Sequence, residues 1–212
     1  DGQRTWKVGS TTGAQYTYAS GLLVSMTDGT NTLNFTYDPD GIALGVNHNG
    51  TDYYYLYNAQ GDVIALYDSA GTVVTEYKYD SWGKLLSTTG SAAATIGLLN
   101  PLRYRGYFYD VETGLYYLQS RYYNPEWGRF LNADAYLSTG QGILGYNMYA
   151  YCNNNPTNLV DVSGNLPKWV ESAANWVNSN IVQPVVSFFE ESIDYLTLPS
   201  KEEHYNRNQN NV

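Results

Sequence analysis

The chain has 212 residues with 11 basic against 20 acidic side chains, a formal net charge of -9, which argues against the clustered Lys and Arg of a nucleic-acid groove. Its aromatic content is tyrosine-rich, 23 Tyr and 5 Trp against 5 Phe beside 20 Gly, and tyrosine tolerates one wet end. That composition suits long strands with one face reaching water or a polar cavity and does not suit a compact oily core. The single cysteine, Cys152, cannot form an internal disulfide and reads as an ordinary thiol. No apolar run approaches the ~18 to 20 residues of a membrane span, and Asp1-Gly2-Gln3-Arg4 is not a signal peptide. The chain therefore reads as a piece of something longer, with any export signal upstream.

From the N-terminus, one phrase recurs: two aromatics at i and i+2, then Asp or Asn, then two residues and Gly. It stands at Phe35-Thr36-Tyr37-Asp38-Pro39-Asp40-Gly41, at Tyr55-Leu56-Tyr57-Asn58-Ala59-Gln60-Gly61 and at Tyr77-Lys78-Tyr79-Asp80-Ser81-Trp82-Gly83. Half-copies follow Tyr67 and Tyr109. Aromatics at i and i+2 share one face of a strand, Asp or Asn bonds to backbone two residues on, and Gly supplies positive φ. A period of about 20 residues then holds two strands and two turns, and successive hairpins form an antiparallel strip.

Asp38, Asn58, Asp68, Asp80 and Asp110 invite a calcium reading, but they lack dense Asp-x-Asp spacing and are better explained as turn formers. The tyrosine rows are read as strand packing ahead of a sugar-stacking platform. Between Leu86 and Leu102 the small residues Ser87 to Ala94 read as an exposed loop.

From Arg103 the texture changes to strand, turn, strand, turn. The anchors are Tyr104-Arg105-Gly106-Tyr107, Asp110 with Thr113-Gly114-Leu115-Tyr116-Tyr117, Arg121-Tyr122-Tyr123-Asn124-Pro125, Gly128-Arg129-Phe130, Asn147-Met148-Tyr149-Ala150-Tyr151 and Asn154-Asn155-Pro156, then Asp161 and Gly164. This stretch resembles the core domain that ends the repeat region of RHS and YD-repeat proteins. The resemblance implies a mainly β protein in three parts: YD-repeat hairpins over 1–102, the RHS-associated core over 103–165 and a variable C-terminal segment over 166–212. It also implies a hollow shell, secreted or on a bacterial cell surface, that encloses its own C-terminal segment.

In that family the core is similar to an aspartic protease acting once on its own chain. The matching positions are Arg121, Asp134 and Asp161, and the implied bond joins Asn165 to Leu166. Two carboxylates in reach of each other share a proton, so one activates water while the other protonates the leaving amide, and an Arg orients a carboxylate or the carbonyl under attack. The bland alternative makes Asp161 a turn former and Asp134 a loop or cap residue. Val162, Asn165 and Ala135 depart from the family pattern beside these positions. The chemistry calls for no cofactor and no metal.

Beyond Gly164 the apolar period becomes helical. Trp169, Val170, Ala173, Trp176, Val177 and Ile181, then Val185, Phe188, Phe189, Ile193 and Leu196 beyond Pro184, predict a short α-helical tail. Its polar face is acidic, which disfavours membrane action and leaves a truncated cargo or a plug as the readings of the tail. The partners expected are the C-terminal segment itself, the upstream YD repeats, and an immunity protein or a cell-surface target. The competing reading is a non-catalytic surface adhesion module whose repeats bind carbohydrate or protein.

Overall fold

The computed structural model describes residues 3–8, 13–134, 147–161, 164 and 168–169. The first nine strands are β1 (Trp6–Val8), β2 (Gly13–Ala19), β3 (Leu22–Thr27), β4 (Thr32–Tyr37), β5 (Ala43–His48), β6 (Thr51–Tyr57), β7 (Val63–Asp68), β8 (Val73–Tyr79) and β9 (Leu85–Thr89). They form one antiparallel nine-stranded sheet whose spatial order is the chain order. A second sheet of four strands, β10 (Phe108–Asp110), β11 (Leu115–Leu118), β12 (Arg121–Asn124) and β13 (Arg129–Phe130), is again a meander. Last, β14 (Leu159–Val160) pairs with β15 (Lys168–Trp169). The architecture is mainly β, as the repeats predict.

The turn chemistry is repeated almost atom for atom. Oδ1 of Asp38 accepts the N–H groups of Asp40 and Ile42 at 2.9 and 2.8 Å, and Asp68 accepts those of Ala70 and Thr72, both at 2.9 Å. Asn58 and Asp80 do the same in their own turns. Each turn therefore satisfies its own backbone donors, and the glycine four residues after the aromatic sits at positive φ, between 80° and 84° at Gly41, Gly61, Gly71 and Gly83.

Two features of the sheet are invisible in the phrase itself. Directly before Tyr18, Tyr37, Tyr57, Tyr67 and Tyr79 the register slips by one residue. Tyr37 faces Ala43 while Thr36 faces Gly45, so Leu44 is the extra residue of a β-bulge, which bends its strand and tightens the twist. The hydroxyls then couple one repeat to the one before. Tyr37 donates to the Leu23 carbonyl at 2.6 Å, Tyr57 to Ala43 at 2.7 Å and Tyr79 to Val63 at 2.9 Å. Each acceptor is the residue paired with the preceding repeat's own tyrosine.

The stretch expected to be an exposed loop is more ordered than its small residues suggest. Residues 85–89 complete β9, and the short helix α1 (Ile96–Leu99) drives Ile96 into the core lined by Leu33, Phe35, Val46, Tyr55, Leu66 and Tyr77. Asn100, fully buried, accepts the Tyr55 hydroxyl at 2.8 Å. The buried Arg103 guanidinium donates to the carbonyls of Gly97, Leu98 and Asn100 and lies over the rings of Tyr77 and Tyr109. Carbonyls at the end of a helical turn and aromatic faces both favour a cation. The loop reading holds over residues 90–94, which are bend and turn, and fails at 87–89, which extend β9; composition gave no sign of either that strand or Ile96 as a plug.

Three tyrosines seat the second sheet on the last repeat turn. Tyr104, Tyr123 and Tyr116 donate to the successive carbonyls of Ser81, Trp82 and Gly83 at 3.1, 2.7 and 2.8 Å. A Cβ on Gly83 would lie 2.5 Å from the Tyr104 ring, so the turn must present bare backbone there. Asp110 differs from the other turn aspartates. Its carboxylate meets Arg4 at 3.2 Å and also Lys7, tying the N-terminal segment to β10.

The helical reading of the tail does not begin at Trp169, because Lys168 and Trp169 pair with Val160 and Leu159 as strand. The remaining tail, together with Ala135, Val162, Asn165 and Leu166, lies outside the described residues.

Candidate active site

The hairpin between β11 and β12 places Arg121 opposite Leu118, with its side chain buried. The Phe130 ring lies 3.6 Å from the guanidinium carbon and supplies a π face. Nη1 donates to the Met148 carbonyl at 3.0 Å, and the Asp134 N–H reaches that same oxygen at 2.9 Å. One carbonyl thus fixes both the cation and the backbone of Asp134.

Asp161 arrives by another route. Cys152, Asn153 and Asn154 all take left-handed φ values of 49°, 51° and 61°, a conformation that Asn accepts more readily than most residues. That reversal leads through β14 to Asp161, whose N–H donates to the buried Tyr107 hydroxyl at 3.1 Å. Tyr107 in turn shares a 3.2 Å hydrogen bond with the Tyr151 hydroxyl. Burial pushes the Cys152 thiol up to about 12, so it stays protonated and apolar in character at neutral pH.

The three positions expected from sequence converge on one atom. Nη2 of Arg121 is 2.9 Å from Asp134 and 3.3 Å from Asp161. The other oxygen of Asp161 accepts the Gly164 N–H at 2.7 Å. Gly164 in turn offers its carbonyl to Ser120 Oγ at 2.9 Å and to Nε of Arg121. Burial pulls the Arg121 guanidinium below its ordinary value, although the charges of Asp134 and Asp161 push it up. Two residues to which the sequence reading gave no role at the site therefore belong to the cluster, Ser120 and Met148. Ser120 was legible only as the neighbour of Arg121, and Met148 contributes through its backbone, which side-chain patterns do not encode.

The cluster has the groups for amide hydrolysis: two carboxylates within reach of one guanidinium, and a backbone carbonyl held by two donors. Among the described residues no group of three or more His, Cys, Asp or Glu side chains is arranged to hold a metal ion.

Comparison with known proteins identifies the family. The Teneurin YD-shell family model matches residues 22–157, from the third strand of the large sheet through the turn that precedes Asp161. The chain belongs to the Teneurin YD-shell family. Among relatives of this YD-shell protein, the tRNA3(Ser)-specific nuclease WapA of Bacillus spizizenii is 44% identical over 144 residues, 68% of this chain and 6% of that protein. The double-stranded DNA deaminase toxin A of Burkholderia cenocepacia is 40% identical over 98 residues, 46% of this chain and 6% of the toxin. The crystal structure of TcdB2-TccC3-Cdc42 superposes with a TM-score of 0.61 at 24% identity, covering 77% of this YD-shell chain and 8% of that one. The chain thus spans a small fraction of the length of these relatives, and the structural likeness speaks for the fold.

Proposed function

We propose that this YD-shell chain is the closing end of a secreted or cell-surface bacterial shell that encloses its C-terminal segment and releases it by a single self-cleavage of the aspartic type. In this reading residues 1–102 are wall, 103–165 close the wall, and the segment from 166 onward is the enclosed cargo or plug. Its partners are that segment, the YD repeats upstream, and an immunity protein or cell-surface target. Relatives named as a nuclease and as a deaminase toxin support a shell that accompanies an effector.

The observation that carries the cleavage is Arg121. One of its nitrogens meets both Asp134 and Asp161 while Nε holds the Gly164 carbonyl, next to the Asn165–Leu166 stretch where the resemblance puts the cut. Intact-mass measurement of freshly purified chain tests the reading. The expected result is a break after Asn165 that disappears in Asp134→Asn; wild type that stays whole through prolonged incubation would defeat it.

A second reading follows from Asp161, whose two oxygens are both engaged, one by Arg121 and one by the Gly164 N–H. Such a cluster also works as a static clasp that fastens the end of the core. It predicts an uncut wild-type chain whose stability falls when Arg121 is replaced.

A further inference from the structure

Phe108, Tyr117 and Tyr122 stand side by side on one face of the four-stranded sheet, because Tyr117 is the cross-strand partner of both others. Arg121 alternates to the opposite face of β12, so this row is separate from the cluster of Asp134 and Asp161. Tyr16 of the nine-stranded sheet closes the row, its ring edge-on to Phe108 at 5.5 Å and 82°. Arg4 enters the space so formed. Its guanidinium carbon lies 4.8, 4.8 and 4.9 Å from the ring centres of Tyr16, Phe108 and Tyr117. Nη1 donates to Asp110 at 3.2 Å and to the Tyr122 hydroxyl at 3.3 Å, and Nη2 donates to the Tyr16 hydroxyl at 3.4 Å.

Three aromatic faces, one carboxylate and two hydroxyls aimed at different nitrogens suit a flat, delocalised cation better than a compact ammonium. Lys7, the neighbouring cation, takes the second oxygen of Asp110 together with Glu112 instead. The walls do not depend on Arg4 for their places: three of the rings sit on paired strands, and Tyr16 is buried in the large core with Met26 as its partner on β3. The Arg4 Nε is buried and makes no hydrogen bond among the described residues, so the grip needs only the two terminal nitrogens, which a simple guanidinium ion also offers. We propose that this aromatic cage is a guanidinium-binding site, a receptor for an arginine side chain, filled here by the chain's own Arg4, which straps the segment ahead of β2 onto the four-stranded sheet. The strap is held by a side chain in a preformed seat and by the pairing of β1 with β2, and the seat accepts another guanidinium when Arg4 is gone.

The test measures the melting temperature of the full chain against millimolar methylguanidinium, too dilute to act as a denaturant. Arg4→Ala empties the cage, and its melting temperature should rise saturably with the probe, as it does with any ligand that binds only the folded state. Ethylammonium, a point charge without the planar fork, should bind at least about 10-fold more weakly. Wild type, with the cage filled, and the double variant Arg4→Ala, Asp110→Asn, with the anchoring carboxylate gone, should both stay flat. Should Arg4→Ala not fold unaided, recovery of its folding on addition of methylguanidinium is read in place of the melting curve. No response of Arg4→Ala to methylguanidinium by either readout overturns the proposal. An equal response to ethylammonium reduces the cage to a charged patch and overturns its selectivity, and an equal rise in wild type or in the double variant puts the binding elsewhere and overturns the site.

Discussion

The nine-stranded sheet and the four-stranded sheet use the same two residue types for opposite ends. In the large sheet Asp38 and Asp68 serve their own turns, and the hydroxyls of Tyr37 and Tyr57 reach about one repeat back along the chain. In the small sheet and its flanks, Asp110, Asp134 and Asp161 pair with cations, and the hydroxyls of Tyr104, Tyr116 and Tyr123 cross to another sheet. A carboxylate that answers only its neighbours builds a wall. One that answers a distant guanidinium fixes a tertiary junction, and removing it has consequences far from its own turn.

That contrast yields graded expectations for stability, read by chemical denaturation. Arg121→Leu should cost most, about 3–5 kcal/mol, because it leaves Asp161 buried without its cation. A loss under about 1 kcal/mol would place the cluster among the weak surface pairs and erase the distinction between the sheets. Gly83→Ala comes next. It combines an unfavourable positive φ with collision against the Tyr104 ring and should cost about 3 kcal/mol. Gly71→Ala has nearly the same φ and nothing within 4 Å, so it should cost only about 1 kcal/mol. Equal losses would mean that the junction adds nothing to the turn. Tyr57→Phe should have a similarly small effect, about 1 kcal/mol, from a single lost hydroxyl bond to Ala43 O.

The repeats were legible because their signals are local. An aromatic pair, an Asp or Asn and a Gly within seven residues state the strand, the face and the turn. The bulge before each tyrosine and the acceptor of each hydroxyl were not legible, since both depend on which residue of the neighbouring strand arrives opposite. The loop reading of residues 87–94 holds over 90–94 but misses that 87–89 extend β9, and the roles of Ile96 and Asn100 were hidden for a related reason, since they arise only when Tyr55 and Tyr77 surround them. At the site, Arg121, Asp134 and Asp161 were found through resemblance, and 13 or more residues separate Arg121 from either carboxylate. No spacing rule could join them, because Phe130, Met148 and the left-handed turn at Cys152 perform the joining.

The hydroxyl clasps have a consequence for how such chains change length. Tyr57 holds Ala43 and Tyr79 holds Val63, so each link ties a repeat to its immediate predecessor and to nothing beyond. Coupling of that kind is nearest-neighbour, as in solenoid arrays. Further units of some twenty residues could then be added ahead of β1, and the final turn would still present the same three carbonyls to the four-stranded sheet.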